Sequence, residues 1–198
     1  APCRPGSAIP AAAASSAVRF FPRLGVALGY VDHEHLRAAA SDPGLQAVYA
    51  APPISLIRPV ASAAARATGK VTWGIDRINV PKLWKLGLTG KSVAVAHLDT
   101  GVDGRHPALK PALSRGRSAP FDPAGTLVPN APAVDTDTHG THTAGTLCGG
   151  VFKRLAIGVA PGASLFSAAV IEGGDVLMRI LAGMEWALEH NARVLSMS

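Results

Sequence analysis

Val93-Ala94-Val95-Ala96-His97-Leu98-Asp99-Thr100-Gly101-Val102-Asp103 is a near-continuous apolar run that closes on a carboxylate and a Thr-Gly turn. A run of this length without polar alternation is what a strand covered on both faces looks like, and we place the strand at 92–98. Downstream, Asp137-Thr138-His139-Gly140-Thr141-His142-Thr143-Ala144-Gly145-Thr146 reads as a helix over 138–147, capped by Asp137 or Thr138. Residues 163–171 form the next strand. Asp175 can then cap a helix whose apolar face is Leu177, Leu181, Met184 and Leu188. Asn191 suits the left-handed residue that ends it, and 193–197 returns as a strand. Strand, helix, strand, helix, strand predicts an α/β fold: a mainly parallel sheet with helices on both faces.

Upstream the pattern changes. Residues 1–17 are rich in Ala, Pro and Ser and read as a flexible leader. A small unit follows over 18–58, with a strand at 24–31, a helix at 33–40 capped by Asp32 and stopped by Asp42-Pro43-Gly44, and a strand at 45–50. Residues 59–72, with their Ala/Ser repeats, read as a linker in which Arg66 and Lys70 are either solvated charges or the mark of a maturation cut. The main domain is then 73–198, with a short helix at 80–86, the turn Leu88-Thr89-Gly90-Lys91, and surface loops over 106–137, where Pro, Gly and Ser accumulate.

Composition narrows the function classes. The chain has 198 residues, 48% of them hydrophobic, enough for one sizeable core and against global disorder. The net charge of +6 is spread over single Lys and Arg residues and not gathered into runs with aromatics, so no nucleic-acid partner is expected. No uninterrupted apolar window reaches the length of a transmembrane helix, and no membrane partner is expected. The cysteines are Cys3 and Cys148; a disulfide between them is one option, and a buried, inert thiol at Cys148 is the expectation. The chain opens on Ala1-Pro2-Cys3-Arg4 without Met or an apolar signal core, and closes on Ser196-Met197-Ser198 directly after an apolar run. The expectation is a chain cut at both ends, with an exposed sheet edge that makes it self-associate.

In a parallel sheet the reactive side chains gather at the carboxyl ends of strands and the starts of helices. Asp99 and His139 occupy those positions. A buried carboxylate bonded to Nδ1–H would set the imidazole tautomer, leaving Nε2 to take a proton from a serine nucleophile. His142, one turn beyond His139, could instead pair with it on a metal, but a third ligand and His-Glu-x-x-His spacing are missing, and His142 is expected to be a packed, hydrogen-bonded helix residue. Asp103, Asp135 and Asp137 read as turn and cap residues, His97 as a satisfied core histidine, and Trp186 as core.

These stretches resemble the subtilisin-like serine proteases, the subtilases. Val95–Asp103 as quoted above, followed by His106-Pro107, is similar to their aspartate motif, and 139–146 to their histidine motif. Gly158-Val159-Ala160-Pro161, Glu185-Trp186-Ala187 and Val194-Leu195-Ser196-Met197-Ser198 resemble further stretches in the family's order. The resemblance implies Asp99 as the orienting acid, His139 as general base and acid, and Ser198 as the first residue of a segment that walls the substrate pocket. It implies a secreted endopeptidase precursor acting on protein or peptide substrates, with 18–58 as part of an inhibitory propeptide that binds its own catalytic domain. The family's Gly-Thr-Ser-Met-Ala serine motif is not in these residues, so the chain alone is expected to be inactive. The competing reading is a naturally truncated, non-catalytic binding or inhibitory module. The family's strong calcium site is not expected here: Ala108 stands in place of its aspartate, and Gly149-Gly150-Val151-Phe152-Lys153-Arg154 supplies no carboxylate. No cofactor is expected.

Overall fold

The computed structural model describes residues 18–54, 69–171 and 176–198, and the chain divides into two units, Ala1–Pro52 and Pro53–Ser198. The expected leader, Cys3, Arg66, residues 59–68 of the expected linker and the cap Asp175 lie outside the described residues.

In the first unit, β1 (Arg19–Phe21) and β2 (Val26–Leu28) form an antiparallel hairpin, with Phe21 opposite Val26 and Gly25 at φ +65° in the turn. The expected strand at 24–31 is therefore shorter than read, and its partner precedes it. The helix α1 (His33–Ala40) starts where expected, with Asp32 accepting from the His35 amide at 2.8 Å. Beyond it Asp42 accepts from the Gly44 amide at 2.7 Å and turns the chain. Residues 45–50 are not a strand. Among the described residues they pair with no other segment, and Tyr49 is 87% exposed. An apolar run of strand length becomes a strand only where another backbone satisfies its amides.

The second unit opens with α2 (Trp73–Arg77) and α3 (Val80–Lys85), followed by β3 (Ala94–Asp99), α4 (Lys110–Arg115) and β4 (Arg117–Pro120). Then come α5 (His139–Cys148), the short strands β5 (Val151–Phe152) and β6 (Leu155–Ala156), β7 (Ser164–Ala169), α6 (Val176–Glu189) and β8 (Val194–Met197). The main sheet runs β4-β7-β3-β8, and every pair in it is parallel. The sheet confirms the mainly parallel α/β fold and corrects the expectation of loops throughout 106–137. There Pro111 sits in the first turn of α4, where proline needs no amide partner, and Arg117–Pro120 pairs with β7 as an edge strand.

Side chains alternate across β3. Val95 joins Leu165, Ala144, Cys148, Leu109 and Ala112 in a core under α4 and α5. Leu98, on the other face, meets α6, where a Cβ on Gly183 would stand 2.8 Å from Val170 and 3.3 Å from Leu98. That contact decides the orientation of α6. Its buried residues are Arg179, Ile180, Ala182, Gly183, Trp186 and Ala187, whereas Leu188 of the expected apolar face is 43% exposed. Small side chains let the helix axis approach the sheet, and this close packing outweighs the wider stripe of leucines. Trp186 is core as expected, edge-on to Phe166 with ring centroids 5.9 Å apart. Asn191 takes the left-handed conformation at φ +55°, as expected.

The strands β5 and β6 form a hairpin whose turn places Lys153 and Arg154 at positive φ. Its strand β6 also holds the segment before α2: the Thr72 amide donates to Ala156 O and the Ala156 amide to Lys70 O. Lys70–Thr72, at the end of the expected linker, is thus tied to this unit.

At the sheet's edge, β8 leaves Val194, Leu195 and Met197 40–50% exposed. An apolar parallel edge with unpaired amides templates association. The chain is expected to elute from size-exclusion chromatography above its monomer size at micromolar concentration, with Met197→Lys lowering that fraction; a monomer for the unsubstituted chain would contradict this.

Candidate active site

Asp99 ends β3 and is fully buried, so its charge has to be met by donors. Oδ1 accepts from the Thr100 amide at 2.7 Å and faces Nδ1 of His139 at 2.7 Å. Oδ2 accepts from the Thr143 hydroxyl at 3.0 Å and lies 3.6 Å from Nε2 of His97. Burial pushes this carboxyl up, but the imidazoles of His97 and His139 and the Thr100 amide outweigh it and hold Asp99 well below the usual carboxylate range.

His139 is the first residue of α5, with its side chain 11% exposed and no described residue bonded to Nε2. Because an ionised carboxylate only accepts, Nδ1 carries the proton and Nε2 is the free base in the neutral ring. Glycine at 140 permits this approach: a Cβ there would stand 2.1 Å from Gly101 O and 2.9 Å from the Thr100 hydroxyl.

The start of α5 is capped from outside. Thr138, at the N-cap, makes no side-chain cap bond, and Asp137 accepts from the Thr138 amide at 2.6 Å. The Gly140 amide donates instead to Thr100 Oγ1 at 3.0 Å, and the Thr141 amide to Asp135 at 2.6 Å. Asp135 also accepts from the hydroxyls of Thr100 and Thr141 and from the Asp137 amide. Thr141 Oγ1 in turn accepts from the Asp103 amide at 2.9 Å. Asp103 behaves as the expected turn residue, its carboxylate accepting from the Arg105 amide; Asp135, read as a turn or cap, clamps the β3 loop to α5.

His97 is the satisfied core histidine expected: Nδ1 lies 3.0 Å from Ser167 Oγ and Nε2 2.8 Å from Thr143 Oγ1. Its nearness to Asp99 went unread. Thr143 was also missed, although its spacing of one turn from His139 places both on one helix face. His142 corrects an expectation: it is exposed, because the stripe of α5 turned inward runs through Gly140, Ala144 and Cys148. Among the described residues no three His, Cys, Asp or Glu side chains converge on a metal position. A family calcium site does not fit either, since Ala108 is buried with its carbonyl accepting from the Gly150 amide at 2.9 Å, and the following loop is the β5–β6 hairpin. Cys148 is a free, buried thiol, pushed up to about 11 by that burial despite the Arg115 charge. Ser198 follows β8 and is exposed.

A strand-end carboxylate and a helix-start imidazole thus meet at the carboxyl edge of a parallel sheet. Residues 90–198 match the subtilase family, and the chain belongs to it. It is 39% identical to subtilisin E of Bacillus subtilis over 130 residues, which cover 65% of this chain and 32% of that protein. It is 36% identical to the major intracellular serine protease of the same bacterium over 128 residues, covering 63% and 39%. Among solved structures, the CspB protease of Clostridium perfringens aligns with a TM-score of 0.49 at 26% identity, over 64% of this chain and 33% of that one. The chain spans less than half the length of each of these relatives.

Two outcomes follow from this geometry. The folded Asp99 carboxyl titrates below its unfolded value of about 3.9, so its contribution to stability is complete above about pH 5 and is lost as pH falls through the folded value. The stability gap between the chain and its Asp99→Asn variant should therefore narrow from pH 5 to pH 2, as read by melting at each pH. Gly140→Ala must move the backbone that it meets, and should destabilise the fold by about 3 kcal/mol, lowering the melting temperature by roughly 6–12 °C. An unchanged melting curve would refute the close approach.

Proposed function

We propose that this chain carries the acid–base pair of a serine endopeptidase, with Asp99 orienting His139 and His139 taking the proton of a serine that a longer form of the protein supplies. The observation that carries the reading is the 2.7 Å contact between His139 Nδ1 and a fully buried carboxylate, with no described residue bonded to Nε2. Membership of the subtilase family supports serine endopeptidase function, and peptide bonds are then the substrate class.

The reaction assigned to these groups is acyl transfer. Nε2 accepts the serine hydroxyl proton as the oxygen attacks the scissile carbonyl, and then returns it to the leaving amine. Asp99 stays ionised and stabilises the imidazolium formed in between. That stabilisation matters here because His139 sits at the positive end of α5, which by itself disfavours a cation. In the same reading Ser198 begins one wall of the substrate pocket, residues 18–58 are part of a propeptide that binds the catalytic domain, and the protein is secreted. The non-catalytic binding or inhibitory module is not favoured.

The test compares two proteins. The 198-residue chain should neither hydrolyse a peptide substrate nor react with a serine-directed phosphonate. The longer form should do both; Asp99→Asn should lower its kcat by about four orders of magnitude and His139→Ala by about six. A longer form that labels on no serine, or whose turnover survives both substitutions, would sink the proposal.

A further inference from the structure

His97 and Thr143 have no part in the proton transfer described above, yet they complete the environment of Asp99. Side chains on β3 alternate, so His97 and Asp99 emerge on the same face, toward α5, one residue apart in that row. His97 lies opposite Ser167 in the β3–β7 register and is 1% exposed. Thr143 Oγ1 sits between the ring and the carboxylate, 2.8 Å from His97 Nε2 and 3.0 Å from Asp99 Oδ2.

Hydrogen counting fixes the direction of this chain of bonds. The Thr143 hydroxyl has one proton. Its possible acceptors are Asp99 Oδ2, His139 O at 3.1 Å and Gly140 O at 3.1 Å. The charge-assisted bond to the carboxylate is about twice as strong as one to a carbonyl, and withholding the proton would leave two lone pairs facing each other at 3.0 Å. With that proton on Asp99, Thr143 Oγ1 can only accept from His97, so the ring's Nε2 carries a hydrogen. Each bond polarises the next in a buried, weakly screened setting.

We propose that His97, acting through Thr143, is a positioning residue for Asp99: it holds Oδ2 so that Oδ1 stays on His139, and it draws off part of the charge that His139 would otherwise meet. The proposal rests on Asp99 and His139 being the acid–base pair. Beside Asp99 on the same strand, the ionisable side chains carried by the helices on that face of the sheet are His139, His142 and Cys148 of α5 and Lys110 and Arg115 of α4. Across the sheet, α6 carries Arg179, Glu185 and Glu189, followed by His190, while β7 and β8 place the non-ionising Ser167 and Ser196 beside the ring in register. Of these, Asp99 is the group within ion-pair distance of His97.

The test reads the histidines directly in the full 198-residue chain, labelled with 15N-histidine and measured by magic-angle-spinning NMR, which tolerates self-association. In the unsubstituted chain, a hydrogen on His97 Nε2 is expected; a ring bare at Nε2 overturns the proposal without any variant, and so decides it even if a variant fails to fold. Thr143→Val removes the relay at equal size, and should raise the His139 titration midpoint by at least about half a pH unit, because more of the carboxylate's charge then faces it. Thr143→Ser keeps the hydroxyl and should restore the midpoint. A Thr143→Val chain that titrates like the unsubstituted one, or a Thr143→Ser chain that follows Thr143→Val, overturns the proposal. Peptide hydrolysis does not enter the measurement, so failure of the protease reading and failure of this one are separate results.

Discussion

A carboxylate with no exposure to water is the constraint on which the rest of this site depends. An ionised group in that position costs several kcal/mol unless donors replace its water, and removing one donor leaves the penalty in place. At Asp99 the donors come from three directions: the next peptide unit through the Thr100 amide, the start of α5 through His139, and its second turn through Thr143. The strand, the turn after it and the helix must hold their relative positions to within a few tenths of an ångström for all three bonds to persist. The close approach at Gly140 and the small inward stripe of α5 serve that requirement.

The clamp around Asp135 solves a related problem with the opposite sign. A helix start leaves amides without internal partners, and α5 has no capping side chain of its own. Thr100 and Asp135 supply the missing acceptors, and the same Thr100 whose amide binds Asp99 gives its hydroxyl proton to Asp135. One threonine therefore links the two carboxylates, so the loop after β3 is held by its backbone on one side and by its side chain on the other.

The sequence made the Asp99–His139 pair legible because each member lies inside a local pattern: a carboxylate closing an apolar strand, a histidine opening a helix. The sheet was legible for the same reason, since β3, β7 and β8 are apolar runs of strand length. What stayed hidden depends on partners distant in the chain. Residues 45–50 have the composition of a strand but no strand partner among the described residues, whereas 117–120, read as loop, pairs with β7. The buried side of α6 was misread because periodicity counts large apolar residues, and the contact is made by Ala182, Gly183 and Ala187. His97 was recognised as core, yet its relation to Asp99 runs through a helix residue that strand periodicity does not register.

The two carboxylates divide the electrostatic work at the start of α5. The helix terminus carries roughly half a positive charge, which favours an anion nearby and disfavours protonated His139. Were Asp99 alone to answer both demands, part of its charge would be taken up by the helix amides and less would remain for the imidazolium. Asp135 accepts from the Thr141 amide and, through Thr100, stands behind the Gly140 amide as well. The amides inside the first turn are thereby served by a group that makes no contact with His139. Asp99 bonds no amide of α5, and its Oδ1 is directed at Nδ1. In the proposed reaction, this separation lets a histidine at a helix N-terminus, an unfavourable place for a cation, serve as a base that must become one.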